Sequence, residues 1–318
     1  MAVNYTSYGT PRADLGEAIR EYNPALDGFI GLDILPARPV TKKAATISVI
    51  TRESILKRAD AKHANGAAFN RIGIEAEDKT YTCLDYGLES PLTDDDRATY
   101  ASDFDAEVET VETIQHKLLM EHEIRVKNLV WSTSTFTGAS LYTDVSSAPW
   151  DAAASDAIAH VLAAKEKVRQ NTGMQPDSFL IGAATLNNLL GNTGIKNRFP
   201  GAPLITEQMI RQNLANIFGL TNLFVGGKRY DSANEGIAFS GTDVWTDDYA
   251  LIFKRNTGSL NTGGLGRTFL WTPINGTGAF DVYQYREEQT ESDVFRVRQY
   301  ADELLFDAYF GHLLKVDA

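Results

Sequence analysis

The chain has 318 residues, 43% of them hydrophobic and 23% charged, values that belong to a folded chain and argue against global disorder. Forty-two acids against 30 bases give a net charge of −12, which argues against a basic, nucleic-acid-coating role because phosphates would be repelled. A single cysteine, Cys83, excludes an intrachain disulfide and any multi-cysteine metal site.

No apolar run approaches the roughly 18 residues a membrane span needs, and the N-terminus lacks the basic and apolar regions of a signal peptide. Residues 1–46 hold too little core to fold alone. Gly and Pro recur through them, with one short helix expected over Asp14–Tyr22. The apolar segment Phe29–Pro36 ends in proline and reads as an extended piece. Its leading residues, Phe29 and Ile30, must bury against another part of the chain or against another chain.

Residues 47–86 read as a long hairpin excursion. Thr46–Ile50 and Thr80–Leu84 alternate as strands do, and the polar, Ala/Gly-rich stretch Lys57–Ala68 between them has no reason to fold inward. Charge changes sign here. Lys42–Arg71 carries seven bases and two acids, a balance of +5, and Glu75–Glu112 carries thirteen acids and two bases, a balance of −11. Such segments attract one another within or between copies, or are two solvated faces.

A long helix is expected over 104–131. Asp103 stands as its N-cap, acids fill the first turns, and Val108, Val111, Leu118, Leu119, Val126, Leu129 and Val130 fall at helical spacing. At 1.5 Å per residue it spans roughly 40 Å, the length of a backbone on which other elements hang. A Ser/Thr/Gly-rich link leads to a second helix, Asp151 to about Asn171, stopped by Thr172-Gly173. Buried strands at Phe179–Gly182, Asn222–Gly227 and Asp248–Lys254 alternate with helices at Ala183–Leu190 and Thr206–Phe218, the pattern of a compact α/β unit. Residues 255–276 read as loop, and 278–300 as a late antiparallel pair.

The sequence carries no complete catalytic constellation. His116 and His122 lie six residues apart on the long helix, about 240° around it, and cannot share a metal. Asn261–Thr268 lacks the frame and lysine of a phosphate loop. No GxSxG elbow or placeable Cys–His pair occurs, and Cys83 reads as a buried small hydrophobe. Asp94-Asp95-Asp96 read as a turn and acidic approach to the helix. The four tryptophans are scattered rather than set out as a stacking platform.

The order of elements resembles the major capsid proteins of tailed bacteriophages, the Hong-Kong-97-type fold. Local sequence agrees at four places in order: Phe29–Val40, Thr80–Glu89, Leu118–Glu123 and Gly173–Gly182. The resemblance implies an α+β chain with an N-terminal arm (1–46), an extended hairpin loop or E-loop (47–86), a peripheral domain (87–172) with spine helix 104–131, an axial domain (173–275) and return strands (276–318). It implies a structural, non-enzymatic protein that forms hexamers and pentamers of an icosahedral shell around double-stranded DNA. No cofactor or metal is expected. The partners it implies are other copies, a portal protein and a scaffolding protein, with room for a decoration protein, and DNA touched weakly and without sequence preference. No membrane is involved, and the place is the virion, built in the host cytoplasm.

The expected inter-subunit contacts are Lys57, Arg58, Lys62 and Arg71 of the basic excursion, Asp94, Asp95 and Asp96 of the acidic segment, and Phe29 and Ile30 of the arm. Lys57 and Lys62 also lie where some relatives cross-link subunits, but no partner residues can be placed and none is named catalytic. The rivals are an encapsulin-like compartment shell and, further off, a soluble α/β enzyme.

Overall fold

The computed structural model describes residues 10–11, 28–62, 68–100, 105–152, 155–198, 213–234, 236–238, 240–258, 262–272 and 280–317. In chain order, β1 (Thr10–Pro11) precedes a single helical turn (Gly31–Ile34) and β2 (Ala37–Val40). Next come β3 (Ala44–Ile50), a short helix (Arg52–Leu56), β4 (Ala76–Thr82), β5 (Leu84–Thr93), a helix at Asp94–Tyr100 and the long helix Ala106–Val130. Then follow β6 (Tyr142–Asp144), the second helix Ala157–Thr172, β7 (Ser178–Gly182), helices Ala183–Gly191 and Thr193–Lys196, and β8 (Asn222–Gly226). The chain closes through β9 (Arg229–Asp231), β10 (Gly241–Asp243), β11 (Tyr249–Phe253), β12 (Gly266–Trp271), β13 (Asp281–Glu287), β14 (Ser292–Leu305) and β15 (Gly311–Lys315).

Two sheets carry the core. The five-stranded one runs β6-β15-β11-β7-β8. Its central strands β7 and β11 are apolar with little interruption because both faces are covered, so successive residues serve opposite cores. Phe179, Ile181, Ala250 and Ile252 pack with Ile158, Val161 and Ala164 of the second helix. Leu180, Leu251, Phe253 and Leu313 face the other way, onto Leu119, Val126 and Val130 of the long helix and Phe29, Ile34 and Leu35 of the arm.

The six-stranded sheet runs β1-β13-β14-β12-β2, with β5 also pairing β14. Val282, Phe295 and Val297 meet Val111, Ile114 and Leu118 on the N-terminal half of the long helix. That helix therefore spans both cores, its N-terminal half on one sheet and its C-terminal half on the other. The hairpin β3–β4 forms a sheet of its own, paired from Ala44↔Thr82 to Ile50↔Ala76.

Several sequence expectations are corrected. The long helix is capped by Asp105, whose carboxylate accepts the N–H groups of Glu107 and Val108; Asp103 lies outside the described residues, as do Asp14–Tyr22. The second helix starts at Ala157 on the Asp156 cap rather than at Asp151, and ends as expected on Gly173, whose φ of 73° suits glycine. Phe29–Pro36 is not extended throughout, since Gly31–Ile34 make a helical turn before β2. Asp94, Asp95 and Asp96 open a helix of their own, where acids suit the dipole.

The stretch read as loop over 255–276 contains β12, between β14 and β2. Glycine disguised it: a Cβ on Gly266 would stand 2.4 Å from the Leu304 carbonyl oxygen, so close strand pairing needs glycine there. Of the helix expected over Thr206–Phe218, residues 213–217 are described and helical. Cys83 is fully buried as expected, and burial pushes its thiol up to about 11.

Candidate functional site

Three regions hold the groups that internal packing does not account for, or accounts for unexpectedly. The first is the hairpin. On β3 every second residue is half-buried, and Ala45, Ile47 and Val49 pack against the buried cluster of Tyr81, Cys83, Phe269 and Phe306. The exposed edge is joined by polar pairs, Ser48 Oγ donating to Asp78 at 2.7 Å among them. Past Ile50 this support stops. No residue of the helix Arg52–Leu56 is fully buried.

Ile50, Ile55, Leu56, Phe69, Ile72 and Ile74 are all exposed, the last three at 78%, 80% and 77%. Water-facing large apolar residues gathered on one excursion mark an interaction surface. The bases Lys57, Arg58, Lys62 and Arg71 stand exposed on the same excursion. The sequence singles out these bases and not the apolar residues, although Phe69-Asn70-Arg71-Ile72-Gly73-Ile74 ends in an alternating apolar pattern.

The second region is the face where β5 meets β13 and β14. Several of its acids are paired within the subunit. Arg286 holds Asp94 through two bonds, 2.7 and 2.6 Å. Arg97 bonds Asp293 at 2.6 Å and lies 3.0 Å from Glu107. Arg296 meets Glu89 at 2.9 Å, and Arg298 meets Asp85 at 2.7 Å. The bond from Arg286 holds the Asp94 carboxyl below the usual carboxylate range. Three acids of the segment, Asp85, Glu89 and Asp94, are thus answered by arginines contributed from late in the chain. Asp95 and Asp96 stay exposed, the latter accepting a bond from Thr93 at 2.7 Å. Beside this face an open groove of about 440 Å³ runs between β5 and the long helix, lined by Leu88, Leu92 and Ile114 with Glu89, Glu109 and Lys117 at its rim.

The third region is buried. Glu123 of the long helix is 1% exposed. Its carboxylate accepts the backbone N–H of Ile30 at 3.1 Å, that of Gly31 at 2.7 Å and the indole N–H of Trp245 at 2.5 Å. One side chain so ties the arm, the long helix and the strand-connecting turn after β10. Gly31 is required: a Cβ would stand 2.9 Å from the Glu123 carboxylate and 3.0 Å from the His122 ring. Burial raises the Glu123 carboxyl, and the three donors oppose that shift. Burial lowers neighbouring His122 to about 3, with Arg125 adding to the effect.

Phe29 and Ile30, expected as inter-subunit contacts, are buried at this junction and packed inside their own subunit. Their apolar side chains find a core against the long helix. Among the described residues, Asp247, Asp248 and Asp317 bring carboxylate oxygens within 4.8 Å of one another, an all-acid group with Thr246 donating to Asp248. None of the described helices is long and apolar enough to cross a membrane.

The chain is similar along most of its length to known proteins. It is 26% identical over 243 residues to the major capsid protein of Burkholderia phage BcepMu, covering 76% of this chain and 74% of that protein. The crystal structure of a phage-related protein from Bordetella bronchiseptica RB50 superposes with a TM-score of 0.71 at 21% identity, covering 96% and 97% of the two chains. The capsid of Cyanophage P-SCSP1u superposes at 0.59 with 9% identity, covering 99% and 91%. No family model matches the sequence.

The architecture is the Hong-Kong-97-type capsid fold, an α+β arrangement of arm, hairpin, long helix and two sheets. Within that class, the chain is a homologue of a phage major capsid protein, and its role is that of a structural capsid shell protein.

Proposed function

We propose that this chain is the major capsid subunit of a tailed phage or prophage, assembling into hexamers and pentamers of an icosahedral shell around double-stranded DNA. The observation that carries the reading is the hairpin, where six large apolar residues, Ile50, Ile55, Leu56, Phe69, Ile72 and Ile74, are gathered in water on one excursion. Such a surface is stabilised when a neighbour covers it, and a shell sums many modest contacts of this kind. The bases Lys57, Arg58, Lys62 and Arg71 steer the excursion toward an acidic neighbour; Asp95 and Asp96 are the candidates on that side, with Asp94 held by its own subunit.

In this reading residues 1–46 are the arm, 47–86 the extended loop, 87–172 the peripheral domain, 173–275 the axial domain around the symmetry axes, and 276–318 the return strands. The net charge of −12 keeps contact with packaged DNA weak and non-specific. A portal protein, a scaffolding protein and a decoration protein complete the partners, assembly occurs in the host cytoplasm, and no step requires catalysis. The sequence relationship to a phage major capsid protein favours this reading over a compartment shell of the same fold.

The test is assembly. The wild-type chain, alone or with its scaffolding partner, forms closed shells or rings of five and six in negative-stain electron microscopy. Ile72→Asp with Ile74→Asp gives a folded subunit that forms neither. Shell formation unchanged by the double variant would remove the hairpin from the account.

A further inference from the structure

The excursion does not hang free of its own subunit. Arg52, the first residue of the short helix, places its guanidinium 3.3 Å from the centre of the Tyr309 ring. Its Nη1 donates to the carbonyl of Asn171, in the last turn of the second helix, at 3.2 Å. Its Nε lies 4.0 Å from the Asp307 carboxylate. The platform beneath is held in place: the Asp307 carboxylate caps the turn by accepting the Tyr309 N–H at 2.9 Å, and Tyr309 packs against the central core. Leu56 lies over Gly173, where a Cβ would be 3.5 Å from the leucine methyl.

The character of this contact is informative. An anchor meant to be permanent would bury apolar surface, as Ala45, Ile47 and Val49 do at the base of the hairpin. Here the apolar side chains stay largely exposed, Leu56 only lying over Gly173, and the hold is made chiefly by one half-buried cation stacked on a ring and bonded to a single carbonyl. Such a contact is directional and weak enough to exchange. Thr51 caps the helix through Ser54, and Glu75 bonds back to Ser54 at 3.0 Å, so both limbs of the excursion follow where Arg52 is held.

We propose that Arg52 is a latch that parks the hairpin against the corner formed by Asn171, Asp307 and Tyr309 of its own subunit. It sets the direction in which the apolar end is offered to a second copy. This rests on the shell-forming reading, and it adds a positioning residue that assigns the excursion a defined pose before contact.

Hydrogen exchange on the unassembled chain tests it, read at the bonded amides of Thr51, Ser54, Lys57 and Glu75. Arg52→Gln and Tyr309→Leu should each speed exchange there about tenfold, the loss expected of a stacked cation with one hydrogen bond. The double variant should be no faster than the faster single one, and amides of β7 and β11 should keep their protection. In assembly, Arg52→Gln should give slower or irregular shells under conditions where the wild type gives uniform ones. Unchanged exchange over 51–75, or an equal change in the core strands, overturns the latch. A loosened hairpin with assembly of wild-type rate and regularity overturns it too. A wild-type chain that forms no particles would instead count against the shell reading, with the exchange result still deciding whether Arg52 holds the hairpin.

Discussion

The face where β5 meets β13 and β14 and the far end of the hairpin look alike in sequence, each a run of one sign of charge. They differ in what the fold does with them. On the sheet, Asp85, Glu89 and Asp94 are matched by Arg298, Arg296 and Arg286 of the same chain. On the hairpin, neither the bases nor the apolar residues between them are folded into the core. A charge run therefore does not identify an interface. Large apolar side chains that the fold leaves exposed together on one excursion are the stronger sign.

The largest expected effect on assembly comes from the hairpin: Ile72→Asp with Ile74→Asp should abolish shells while changing subunit stability by less than about 0.5 kcal/mol in urea unfolding, because both residues already face solvent. The largest effect on stability comes from the opposite kind of place. Glu123→Ala leaves the N–H groups of Ile30 and Gly31 and the Trp245 indole without an acceptor in the core, and should cost about 3 kcal/mol or more. Glu123→Gln, which keeps one acceptor oxygen, should cost less, and the Trp245 emission should report the change. If the two variants were equally mild, the junction would not be holding the arm.

A moderate effect follows from His122. Its pKa is about 3 in the folded chain against 6.5 for the free side chain, so folding favours the neutral ring. That contribution is complete above about pH 6.5 and is lost as pH falls toward 3. Glu123 has the opposite sign: its raised carboxyl contributes most in acid, and the contribution fades as pH rises through the folded value. His122→Gln should therefore flatten the loss of stability between about pH 6.5 and 4, read by thermal melts across that range. The smallest effect belongs to Arg286→Ala. Its exposed pair with Asp94 should yield a slight, salt-sensitive loss in melting temperature and normal shells, whereas a large assembly defect would mean the paired face is an interface after all.

Much of the fold was legible because its signals are local. Helical spacing and terminal acids announced the long helix, Thr172-Gly173 announced the end of the second, and uninterrupted apolar runs announced β7 and β11. Where the signal depended on a distant partner it was lost. β12 looked like loop because Gly266 exists to let another strand approach. Phe29 and Ile30 looked like contacts for a second chain because the Glu123 pocket that receives them lies 93 residues on from Ile30. The acidic run looked unsatisfied because its arginines come from β13 and β14. For the hairpin the alternation in Phe69–Ile74 was present, but its exposure is a property of the fold around it.

The most direct measurement replaces Ile72 with a photo-activated cross-linking residue and assembles an equal mixture of isotopically heavy and light subunits. If the hairpin end is completed by a neighbour, irradiated shells contain peptides joining residue 72 of one label to a segment of the other label in about the proportion random mixing gives. Cross-links confined to a single label, or closed shells with none at this position, would contradict the account.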